Sequence, residues 1–153
     1  MIEIALINNP QDLQQVFRLR YAVYVEELGA EMEFADHERK ELREPWDETG
    51  DNLGAWINGE LVGCVRINRG GESDLSEYQD FFDSIVADSY ADCPLESISV
   101  SSKFAVHRRH RGATLAVRLA QANYIQLQVK KSRLNYMTCR SNLVPMYRKL
   151  GFE

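Results

Sequence analysis

No stretch of the 153 residues approaches the roughly 18 consecutive apolar positions that a membrane span needs. The start, Met1-Ile2-Glu3-Ile4, has neither the basic residues nor the long apolar segment of a signal peptide. Cysteine is scarce. Cys64, Cys93 and Cys139 are far apart and odd in number, which argues against a disulfide framework and fits free thiols in a reducing, cytoplasmic compartment. There is no CxxC, and His37, His107 and His110 have no metal-ligand spacing, so no metal site is expected. No repeat, linker or low-complexity segment interrupts the chain, which rules out collagen-like and disordered classes. What remains is a length that suits one domain with one core, residues 1–153.

The formal charge of −5 hides a strong asymmetry. From residue 97 to the end there are eleven Lys/Arg and one acidic residue; before it there are seven and twenty-two. That polarity fits an anionic ligand near the C-terminal half, or simple attraction between the halves. No nucleic-acid reading motif accompanies the basic residues, so no nucleic-acid partner is expected.

Hydrophobic periodicity orders the elements. Ile2 to Ile7 reads as a strand. Asn9-Pro10 then starts a helix running from Pro10 to Leu28, with Leu13, Val16, Phe17, Arg20, Tyr21, Tyr24 and Leu28 on one stripe and Gly29 at its end. Glu31 to Asp51 is acidic, contains Pro45 and reads as a long loop with at most one helical turn. Leu53–Ile57 and Leu61–Asn68 flank Asn58-Gly59, a hairpin signal. Leu75 to Val86 has helical spacing through Tyr78, Phe81, Phe82 and Ile85. Ile98–Val106 reads as a central strand. Gly112–Lys130 reads as a helix that is apolar at Leu115, Leu119, Ala122 and Ile125. Leu134–Cys139, a helix over Val144–Leu150 and a strand beginning at Gly151-Phe152 complete a mixed α/β domain.

The basic turn His107-Arg108-Arg109-His110-Arg111 joins that central strand to the long helix. A helix start leaves backbone N–H groups unpaired and adds partial positive charge, and small residues at Gly112 and Ala113 let a phosphate approach. Many α/β proteins carry a glycine at such a turn without using it. Arg20 on the apolar stripe of the first helix needs carboxylate partners, which Asp36 and Asp47 of the loop can supply, with Arg66 in the same half. The bare alternative is a structural ion-pair network.

Arg111-Gly112-Ala113-Thr114-Leu115-Ala116, after a strand ending in Val106, resembles the pyrophosphate motif Arg/Gln-x-x-Gly-x-Gly/Ala of the GNAT superfamily of N-acyltransferases, with Thr114 where Gly is usual. Tyr147-Arg148-Lys149-Leu150-Gly151-Phe152 is similar to that superfamily's ending. Phe17-Arg18-Leu19-Arg20-Tyr21-Ala22-Val23-Tyr24, the acidic stretches around Asp36 and Trp46-Asp47, Gly63-Cys64-Val65-Arg66 and Asn142-Leu143-Val144-Pro145-Met146-Tyr147 resemble the N-acyl amino acid synthases and their acyl-homoserine-lactone synthase cousins. The last of these motifs points to the amino acid acylating branch.

The resemblance implies a GNAT acyl-CoA N-acyltransferase fold, a central mixed sheet flanked by helices, with its last strand lacking. It implies an acyl-CoA or acyl-carrier-protein thioester as co-substrate and a small amine, an amino acid, as acceptor. Phe104, Ala105, Val106, Arg111, Gly112, Ala113, Thr114 and Ala116 would hold the thioester. Arg20, Tyr24, Asp36, Asp47, Arg66 and Lys103 would shape the acceptor side. Tyr147 would protonate the leaving thiolate, against the plain reading of a packed aromatic. Where the relatives have Glu-x-Ser-Arg, this chain has Val100-Ser101-Ser102-Lys103, so Glu96 is the candidate base, acting through water. An acetyl-CoA-dependent acetyltransferase and a catalytically silent acyl-CoA-binding module are the competing readings.

Overall fold

The first elements follow local chemistry. The Asn9 side chain accepts the Asp12 backbone N–H at 2.8 Å and Pro10 fills the first helical position, so helix α1 (Pro10–Arg20) starts where its cap dictates. The computed structural model of the chain describes residues 1–80, 82–83 and 93–153. Beyond Arg20 the helix widens into a π-helix, Tyr21–Glu27, with Leu28 N–H reaching back to the Val23 carbonyl. The periodicity predicted one uniform helix to Leu28; the wider turn is the difference.

Strand β1 (Ile2–Leu6) pairs with β4 (Asp51–Ile57), and β4 with β5 (Glu60–Arg69), both antiparallel. The β4–β5 turn is Asn58-Gly59 with φ of 52° and 80°, as the hairpin signal required. β5 pairs antiparallel with β6 (Ile98–Val106). β6 pairs parallel with β7 (Leu134–Met137), and helix α2 (Ala113–Val129) supplies the crossover that parallel strands need. The sheet order is β1-β4-β5-β6-β7. Helix α3 (Val144–Lys149) follows.

Two apolar layers hold the helices on opposite faces of the sheet. Val16, Phe17 and Leu19 of α1 pack with Leu61, Cys64 and Ala105. Leu115, Leu119 and Leu127 of α2 pack with Leu53, Val65 and Ile67. Burying a Leu or Phe side chain is worth about 1.5–3 kcal/mol, so these layers dominate the stability of the domain.

Three expectations need correction. Ile125 is 62% exposed, because the buried face of α2 steps by four through Leu115, Leu119, Asn123 and Leu127. The Glu31–Asp51 loop holds a small sheet, β2 (Ala35–Asp36) with β3 (Glu41–Leu42), besides its single 3₁₀ turn at Pro45–Glu48; two-residue strands leave no readable alternation. Gly151-Phe152 begins no strand; Gly151 adopts φ 94° and the Phe152 ring meets the Tyr147 ring edge-on at 5.6 Å. The expected Leu75–Val86 helix is met by a 3₁₀ turn at Ser76–Tyr78 and helical residues at 79, 80, 82 and 83, while Phe81 and its end, including Ile85 and Val86, lie outside the described residues. Among the described residues no helix is long and apolar enough to cross a membrane.

Candidate active site

The site begins at a fault in the sheet. Cys64 pairs with Ala105 and Arg66 with Ser102, so Val65 faces two residues of β6, Lys103 and Phe104. This is a β-bulge. Lys103 sits there at φ 53°, a conformation that costs a non-glycine residue on the order of 1–3 kcal/mol. On the other side of β6, pairing with β7 stops at Ser101↔Met137, and the strands part beyond it. A cavity of about 1020 Å³ opens along the parted segment.

At one end of the cavity is the start of α2. Arg111, Gly112 and Ala116 line it, and a Cβ built at Gly112 would meet nothing within 4 Å. The open backbone suits an anion, but Arg111 is already occupied. Its guanidinium grips Glu27 through both oxygens, and its Nε donates to the Val106 carbonyl at 3.2 Å. Thr114 is exposed and does not line the cavity.

In the middle are Phe104, Ala105 and Val106, with Tyr147 of α3 opposite. The Tyr147 ring is fixed edge-on between Phe104 at 6.1 Å and Phe152. Burial, with Cys139 nearby, pushes its phenol up to about 12, so it remains a proton donor at neutral pH. Tyr24 reaches the cavity from the π-helix, and its hydroxyl donates to the Phe104 carbonyl at 3.3 Å. Burial pushes its phenol up as well.

At the far end is a charge cluster. Arg20 is fully buried and donates to Asp47 Oδ1 at 2.8 Å and to Asn52 Oδ1. Arg66 lies 2.8 Å from Glu44 and 3.2 Å from Asp47, and its Nε donates to Ser102 Oγ. Lys103, swung out by the bulge, lies 2.7 Å from the other Glu44 oxygen. Burial alone would push the Asp47 carboxyl up, but Arg20 and Arg66 hold it below its ordinary value. Glu44, Arg66 and Lys103 line the cavity, beside Trp46 and Tyr78; Arg20 and Asp47 stand behind them.

A close backbone approach holds this cluster together. A Cβ on Gly50 would lie 2.8 Å from the Trp46 carbonyl oxygen and 3.0 Å from Arg66 Cδ. Gly50→Ala should therefore cost about 1–3 kcal/mol through forced displacement, seen as a lower urea midpoint with unchanged slope.

Two expected site residues lie elsewhere. Glu96 is exposed in the Leu95–Ser97 turn at the opposite end of β6, where its carbonyl accepts from Arg69. Asp36 caps its own hairpin, accepting the N–H groups of Glu38 and Arg39. Sequence reasoning missed Glu44, Tyr78 and Cys139. Glu44 had a readable signal, since Glu-Pro-Trp-Asp places two carboxylates three residues apart around a proline-started turn.

The profile of the family described as N-acyl amino acid synthase FeeM matches residues 15–153. The chain belongs to that family. It is accordingly an N-acyltransferase, transferring an acyl group to an amine. No curated protein sequence matches it. Among solved structures it is similar to the CoA-dependent acyl-homoserine lactone synthase BjaI with MTA, at 23% identity and a TM-score of 0.78, covering 100% of this chain and 74% of that one. It is similar to the AHL synthase LasI at 15% identity and TM-score 0.73, covering 100% and 78%. An acyl-CoA N-acyltransferase from Pseudomonas aeruginosa follows at 15% identity and TM-score 0.70, covering 99% and 88%. At these identities the likeness is one of fold, and the fold is the GNAT acyltransferase fold that the motifs implied.

Proposed function

We propose that the enzyme moves a long acyl chain from a pantetheine thioester, carried by an acyl carrier protein, onto the amine of an amino acid. The observation that carries this reading is the continuous cavity of about 1020 Å³ from the start of α2 to the Glu44–Arg66–Lys103 cluster. Ordinary ligand pockets run to roughly 300–1,000 Å³, so there is room for both reactants in line. Its apolar wall, including Leu28, Phe34, Met137 and Met146, suits an alkyl chain. The grip of Glu27 on Arg111 favours a carrier over coenzyme A, because a pyrophosphate would have to break that ion pair.

In this reading the amine nitrogen bonds to the thioester carbonyl carbon, backbone N–H groups of the bulge at Lys103–Phe104 meet the developing oxyanion, and the C–S bond breaks. Tyr147 gives its proton to the departing sulfur. The proton shed by nitrogen goes to Glu44, which lines the cavity as Glu96 does not.

The test is thiol release from palmitoyl carrier protein, palmitoyl-CoA and acetyl-CoA, each with pooled amino acids, and products identified by mass. Release from palmitoyl carrier protein with N-palmitoyl amino acid products is the expected result. Release from acetyl-CoA alone would make this an acetyltransferase.

A further inference from the structure

The charge cluster at the far end of the cavity does not balance. Arg20, Arg66 and Lys103 face only Asp47 and Glu44, and no other ion pair to these five groups exists among the described residues. Burial keeps the neighbouring Cys64 thiol neutral by pushing it up. The cluster therefore carries a formal charge of +1 in a largely buried setting.

The hydrogen bonds show the same surplus independently. Arg20 Nε and Asn52 Nδ2, behind the cavity wall, are buried donors with no acceptor, while Arg66, which lines the cavity, has its Nη1 3.2 Å from Asp47 Oδ2 without hydrogen-bond alignment. Only the Asn68 side-chain oxygen is left over in the opposite sense in this region. A buried donor without an acceptor is costly, and a surplus of one sign marks a missing partner. The backbone strain at Lys103 points the same way. The bulge that produces it delivers an ammonium to the cavity wall, the outcome that such strain is kept for.

We propose that the missing group is the carboxylate of the acceptor. It seats on Lys103 and Arg66 and brings the cluster to neutrality, while Glu44 between them takes the ammonium. This rests on the amino acid acceptor proposed above, and adds that the free carboxylate decides specificity. A methyl ester or a decarboxylated amine offers the same nucleophile without the charge. A site built around a polar group rejects analogues lacking it far more strongly than one built on apolar contacts.

The experiment compares L-phenylalanine, L-phenylalanine methyl ester and 2-phenylethylamine as acceptors, with palmitoyl carrier protein and palmitoyl-CoA as donors. Phenylalanine is chosen because Trp46 and Tyr78 line the cavity beside Glu44. The expected kcat/KM for the acid exceeds that for either analogue by on the order of 100-fold or more. Lys103→Met should shrink that ratio at least about 10-fold, mainly through KM for the acid, and Lys103→Arg should restore most of it. Calorimetric binding of the acid and the ester to each variant gives the same comparison without turnover, and thermal unfolding checks that the variants fold.

Equal use of acid and ester, or an unchanged ratio in Lys103→Met, overturns the carboxylate seat while leaving acyl transfer to an amino acid intact. Turnover with 2-phenylethylamine alone overturns the amino acid acceptor and the seat with it. Neither turnover nor binding of L-phenylalanine has the same consequence.

Discussion

Tyr147→Phe should lower kcat about 10²–10⁴-fold, the usual contribution of a placed general acid. The effect should fall on kcat more than on KM for the donor, because the ring contacts with Phe104 and Phe152 survive loss of the hydroxyl. With the phenol pushed up to about 12, the wild-type rate should show no decline from this group between pH 7 and pH 10, a window set about two units below it. Pre-steady-state thiol release measures the step directly. A loss of less than about tenfold would leave Tyr147 as the packed aromatic that its sequence position alone suggested, and would require another route for the sulfur's proton.

The second large effect is on stability. Asp47 holds two buried guanidiniums, Arg20 and Arg66, with its own side chain only 1% exposed. Asp47→Ala leaves Arg20 with no carboxylate and Arg66 with Glu44 alone, and breaking a buried pair costs about 3–5 kcal/mol. A typical domain has only about 5–15 kcal/mol in total, so the variant should unfold at far lower urea and express poorly. The pH dependence follows from the sign of the shift. The folded-state carboxyl lies below its ordinary value, so its stabilising contribution is complete above the unfolded value of about 3.9 and disappears as pH falls through the lower folded value. Urea midpoints between pH 7 and pH 2 should therefore fall more steeply for wild type than for Asp47→Asn. Parallel curves would mean that Asp47 does not carry the pair.

The same residue shows how much of the site was legible. An arginine on the apolar stripe of a helix demanded a buried carboxylate, and that argument reached both Asp36 and Asp47. It could not choose between them. Asp36 spends its oxygen on two backbone N–H groups of a hairpin too short to leave a pattern, whereas Asp47 sits in a turn whose proline start and tight glycine press it against Arg66. Glu96 fails as a cavity residue for a related reason. Its distance along β6 was readable, but which end of the strand faces the cavity depends on where β7 stops pairing.

The sequence by itself determined the order of the five strands of the main sheet and of helices α1, α2 and α3, the hairpin at Asn58-Gly59 and the membership of the N-acyl amino acid synthase family. Those features rest on local chemistry: caps, turn residues, periodicity and short motifs. The tertiary structure alone decided that Glu44 lines the cavity, that Arg111 is held by Glu27, and that Arg20, Arg66 and Lys103 meet only two carboxylates, Asp47 and Glu44. Each of these is a sum over residues distant in sequence, and neither a charge balance nor an unmet hydrogen bond exists until the chain has folded around it.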